Sequence, residues 1–130
     1  MSPRRDIVAT AVSAIAGAHE LRASAVVRGG PFLFVSGLTA VDPRSGKPMR
    51  GTTASETAQI LRNLKQLLEA AGSSLDRIVK VNVLLHSMLE APNMNEIYAR
   101  FVPDPPPART VCGARLPDGV KVIIECTALA

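Results

Sequence analysis

Apolar positions recur along this chain with two periods, and the places where one gives way to the other predict its elements. "PFLFVSG", Pro31 to Gly37, follows Gly29 and Gly30 and is a short β-branched and aromatic run, which predicts a buried strand entered from a turn. "DPRSGKP", Asp42 to Pro48, is a loop by its turn residues. In "TASETAQILRNLKQLLEAAG" the spacing changes to that of a helix. Ile60, Leu61, Leu64, Leu67, Leu68 and Ala71 make one apolar stripe, with Arg62, Lys65, Gln66 and Glu69 opposite. Thr53 and Glu56 fit a capping box at its start, and Gly72 is placed to close it.

"IVKVNVLL", Ile78 to Leu85, is β-branched and carries Lys80 and Asn82 on one side, which predicts a central strand with one partly polar face. A second helix follows in "APNMNEIYARF": Pro92 suits a first turn, and Met94, Ile97, Tyr98 and Phe101 recur at i, i+3, i+4 and i+7. The prolines from Pro103 to Pro107 stop it. Two strands complete the chain, near Arg109–Ala114 and Val120–Leu129, joined by the turn signal "LPDG". This order predicts one α+β domain over residues 1–130: a mixed six-stranded sheet with two helices on one face and residues 1–6 as a flexible start. So few helices leave the other sheet face uncovered, and self-association is the simplest cover.

Composition narrows the function. The chain is 47% hydrophobic with one Tyr, three Phe and no Trp, so Val, Leu, Ile and Ala must build the core. A net charge of +4 raises nucleic acid as a partner, but the basic residues are scattered and no aromatics are interleaved with them. Cys112 and Cys126 are far apart and have no His near them in sequence, so a metal site is not expected; two reduced thiols suit a cytoplasmic protein. The start "MSPRRDIVATAVSAIAGAHE" mimics a weak secretory signal, but Asp6 and the scarcity of Leu and Phe argue against one. No run reaches the roughly 20 apolar residues of a membrane span.

Conventional catalytic patterns are missing: there is no phosphate loop, no H-x-x-x-H and no nucleophile elbow, and His19 and His86 read as surface or loop residues. Arg109 stands out because it follows a rigid proline segment and opens a strand. An arginine fixed in this way suits a carboxylate, which its planar fork meets with two parallel hydrogen bonds. A surface ion pair is the alternative for the same residue.

Five short stretches carry a resemblance: "FVSG" (34–37), "LRNLKQLLEAAGSSLDRIVKVNVLL" (61–85), "NEIYARF" (95–101), "PAR" (107–109) and "LPDGVKV" (116–122). In their order and spacing the chain resembles the Rid family, the RidA or YjgF type of reactive intermediate deaminase. The resemblance implies a chorismate-mutase-like fold, a homotrimer with the sheets facing inward, and active clefts between subunits. It further implies hydrolysis of enamines and imines such as 2-aminoacrylate to 2-keto acids and ammonia, with no metal or cofactor. Carried onto this sequence, it makes Arg109 the ligand of the substrate carboxylate, Ser36 and Gly37 the cleft wall, Asn95 a neighbour, and the backbone at Val111 a further contact.

The chain also departs from the family pattern. Ala23 stands near the place of a family tyrosine, and Ile123 stands where a water-orienting glutamate is expected, leaving Glu125 as the nearest acidic candidate. Strand alternation puts Lys121, Ile123, Glu125 and Thr127 on one face. The segment from Arg109 to Leu116 is one residue short, which a bulge or a tighter turn must absorb. Three functions follow: an enamine or imine deaminase, a weakened relative that binds small carboxylates as a sensor or regulator, or a ribonuclease or translation inhibitor, against which the scattered charge weighs.

Overall fold

Among the described residues, β1 (Asp6–Ile7), β2 (Val26–Gly29), β3 (Phe32–Leu38), β4 (Ile78–Leu85), β5 (Ala108–Gly113) and β6 (Val122–Leu129) make one mixed sheet in the order β1-β2-β3-β6-β4-β5. The computed structural model describes residues 6–7 and 24–130; the expectations for His19, Ala23 and most of the N-terminal apolar stretch lie outside the described residues. Neighbouring strands run antiparallel except β4 and β5, which are parallel. Helices α1 (Thr53–Ala70) and α2 (Ala91–Phe101) cover one face. Leu33, Val35, Val81, Val83, Ile124 and Cys126 of the sheet share one core with the α1 leucines and with Met94 and Tyr98 of α2. Burying each such leucine stabilises the fold by roughly 1.5–3 kcal/mol.

Helix α1 starts one residue earlier than its sequence signal implies. Thr52 is the N-cap, its Oγ1 accepting from Ser55 N while Ser55 Oγ accepts from Thr52 N, both at 3.0 Å. Glu56, expected in the capping box, is turned inward and is 1% exposed. Its Oε2 accepts from Gly51 N and its Oε1 from Lys121 N, each at 3.0 Å, with the Lys121 ammonium 3.7 Å away. Lys121 is therefore drawn toward the helix layer instead of joining the polar face of β6. Glu56→Ala strands both amides without acceptors and is expected to lower stability by about 3 kcal/mol, read as a fall in the urea midpoint. At the other end of α1, Gly72 does close the helix, at φ +86°.

The last strand begins at Val122, not Val120. Asp118 and Gly119 have positive φ, and Val120 N donates to Pro117 O, which keeps Val120 in the turn. Pairing of β5 with β4 runs unbroken from Lys80↔Ala108 to Leu85↔Gly113, so β5 carries no bulge between Arg109 and Gly113. The register shifts fall elsewhere, in β3 between Val35 and Leu38 and in β4 between Ile78 and Lys80.

Candidate functional site

Arg109 lies on β5, an edge strand of the sheet among the described residues, opposite Val81. Pairing with a core residue puts its side chain on the helix side, and the edge position lets it emerge beside α2. Its guanidinium carbon lies 4.7 Å from the centroid of the Tyr98 ring, and Nη1 donates to Asn95 Oδ1 at 2.8 Å. Asn95 and Tyr98 are three apart on α2 and so share a helix face. One side-chain hydrogen bond and one stacking contact thus fix the arginine while leaving further donors of its fork for a ligand. It opens into a cleft of about 480 Å³, walled also by Val102, Asp104 and Pro107. Burial pushes the Tyr98 phenol up, with Arg109 acting the other way, so the ring stays neutral at physiological pH. Among the described residues its buried hydroxyl has no hydrogen-bond partner.

A second group of expected residues gathers on the other sheet face. At the irregularity in β3, Ser36 and Gly37 stand where β6 has only Glu125, because Val35 pairs with Cys126 and Leu38 with Ile124. Ser36 Oγ donates to Ser24 O at 2.6 Å. Gly37 permits a close approach: a Cβ there would lie 2.8 Å from Ile123 Cγ2. Glu125 Oε1 accepts from Asn82 Nδ2 at 2.8 Å, and Lys80 Nζ donates to Thr110 Oγ1 at 2.8 Å. A smaller hollow of about 240 Å³ lies among Leu84, Thr110, Cys112, Ile123 and Glu125.

The expected site residues therefore form two groups within one chain. Arg109 meets Asn95; Gly37 approaches Ile123, and Ser36 and Gly37 stand opposite Glu125; and the sheet separates the two sets. Arg109 pairs with Val81 and Glu125 with Asn82, one residue apart on β4, so their side chains point to opposite faces and an Arg109–Glu125 pair does not form within one chain. The Val111 side chain, opposite Val83, packs on the core, which leaves only its backbone at the sheet edge. Tyr98 and Asn82 are additions. The first reads in the sequence as part of the core stripe of α2, and its three-residue spacing from Asn95 was the available signal.

His86 is exposed in the bend after β4, as expected of a loop residue. The cysteines are unpaired: Cys112 is exposed, whereas burial, helped by Glu125, pushes the Cys126 thiol up to about 12. Among the described residues no group of three His, Cys, Asp or Glu could hold a metal ion, and no helix is long and apolar enough to cross a membrane.

Residues 13–130 match the family profile described as Endoribonuclease L-PSP. A RutC family protein of Pyrococcus horikoshii is 40% identical over 106 residues, covering 81% of this chain and 84% of the relative. An Arabidopsis thaliana protein called Reactive Intermediate Deaminase A, chloroplastic, is 34% identical over 106 residues, covering 81% of this chain and 57% of its own length. The crystal structure of RidA from an Antarctic Psychrobacter superposes with a TM-score of 0.81 at 30% identity, covering 90% of this chain and 95% of that one.

Proposed function

The chain belongs to the Endoribonuclease L-PSP family of YjgF/RidA proteins, and we propose that within it this protein hydrolyses reactive enamines and imines of small carboxylic acids to 2-keto acids and ammonia. The observation that carries the reading is Arg109, fixed by Tyr98 and Asn95 at the mouth of an open cleft. An imino acid must be held by its carboxylate while water adds to the C=N carbon. Burying that anion without a counter-charge would cost several kcal/mol, and arginine supplies a permanent one. The name of the Arabidopsis relative supports the same chemistry. For an RNA substrate, by contrast, a cleft this small with scattered basic residues gives no track for a backbone.

The two groups of site residues suggest how the site is completed. In this reading the edge of one copy, with Arg109, faces the sheet side of a second copy that carries Ser36, Gly37 and Glu125, and three copies close the ring. Phe34, exposed among the described residues on that face, supports burial there. The protein is expected to run as a homotrimer of about three times 13.7 kDa by light scattering, at micromolar concentration. A monomer would remove the shared site. We place the protein in the cytoplasm, where the exposed Cys112 thiol would stay reduced.

A second reading has its own observation. Ile123 holds the place where a glutamate is expected and packs against Gly37, which favours a carboxylate-binding sensor or regulator over a fast enzyme. The test adds purified protein to an amino-acid oxidase that releases imines, with semicarbazide as the competing trap. An enzyme lowers semicarbazone yield in proportion to its concentration; a sensor binds pyruvate but leaves the yield unchanged.

A further inference from the structure

Asp104, in the proline segment, lines the same cleft as Arg109, and among the described lining residues these two carry the charge, one of each sign. They do not neutralise each other: Arg109 hydrogen-bonds to the neutral amide of Asn95 and stacks on Tyr98, and among the described residues Asp104 makes no salt bridge. A small cleft with a fixed cation and a separate anion complements a ligand with the same two charges exchanged. A neutral-nitrogen acid or a keto acid uses only half of it.

We infer that Asp104 is a specificity residue that receives the cationic nitrogen of a substrate whose carboxylate is held by Arg109, so that the cleft selects zwitterionic α-imino and α-amino acids. This rests on the carboxylate reading of Arg109 and adds to it the protonation state of the substrate. A carboxylate facing the nitrogen favours the protonated imine, because an opposite charge nearby stabilises the charged form. Protonation also makes the C=N carbon the better electrophile. Water adds to that carbon as the C=N π pair moves onto nitrogen, and a proton passes from the added oxygen to the nitrogen. Ammonia then leaves as the C=O bond forms, and it takes up the remaining proton. One iminium zwitterion and one water thus give one keto-acid anion and one ammonium ion. The keto acid carries no cation for Asp104, which favours its release.

The test is calorimetric titration of the intact protein with alanine and with pyruvate, which share a carboxylate and a carbon skeleton but differ in the cationic nitrogen. Wild type, Asp104→Asn and Arg109→Ala are compared, with circular dichroism as the check of folding. Asp104→Asn is expected to weaken alanine by about fivefold, the upper end for an exposed ion pair, and to leave pyruvate unchanged or slightly tighter. Arg109→Ala is expected to lose both ligands. Equal effects of Asp104→Asn on the two ligands, or no effect on either, would overturn the role of Asp104 while leaving carboxylate binding in place. If pyruvate and alanine both fail to bind wild type, the carboxylate reading falls, and the specificity inference falls with it.

Discussion

Replacing Arg109 by alanine is expected to weaken pyruvate and 2-oxobutyrate binding at least about 100-fold, because two charge-assisted hydrogen bonds to the ligand carboxylate are lost together. The fold should survive: Arg109 is exposed, and its contacts to Asn95 and Tyr98 are at the edge of the sheet, outside the core cluster. Arg109→Lys separates charge from geometry. It keeps the cation, but a point charge cannot stack flat on Tyr98 while donating to Asn95 and to both carboxylate oxygens. It should therefore remain at least about tenfold weaker than wild type. Calorimetry on the three proteins checks both expectations, and unchanged affinity in either variant would remove Arg109 from the site.

The second large effect is expected at Ile123. Wild type should hydrolyse 2-aminoacrylate slowly, since isoleucine offers no acceptor to orient the attacking water. Ile123→Glu should raise the rate by about 10²-fold or more, the scale of a general-base contribution. The geometry permits the change. Glutamate lacks the Cβ branch that puts Cγ2 against Gly37, and position 123 opens on the hollow shared with Thr110, Cys112 and Glu125. Glu125 lies two residues along the same face, roughly 7 Å away. A fast wild-type enzyme would contradict the premise and turn attention to Glu125, held by Asn82.

What could be read from the chain alone divides along physical lines. β4 and α2 have the bounds that "IVKVNVLL" and "APNMNEIYARF" imply, because their signals, alternation, a first-turn proline and a helical stripe, are local. The start of α1 did not follow its local signal. Glu56 is claimed by Lys121, 65 residues away, and a contact over that distance leaves no trace in the spacing around Thr53. The site behaved in the same way. Arg109 was legible from its proline segment, and Asn95 from its place in "NEIYARF". That Arg109 and Glu125 fall on opposite faces depends on the β4 register on both sides, Val81↔Arg109 and Asn82↔Glu125. The contact of Gly37 with Ile123 depends on the β3 irregularity. Both are products of strand pairing, which a single sequence does not display.

In the proposed assembly, Arg109 of one copy and the Ser36–Gly37 face of another make one carboxylate site. A crystal structure of the protein grown with pyruvate tests it most directly. Pyruvate is expected with both carboxylate oxygens on the Arg109 guanidinium and with Ser36 and Gly37 of a neighbouring copy in contact with it, repeated three times around a ring. Pyruvate bound at Arg109 with no second copy within reach, or seated away from Arg109 altogether, would contradict it.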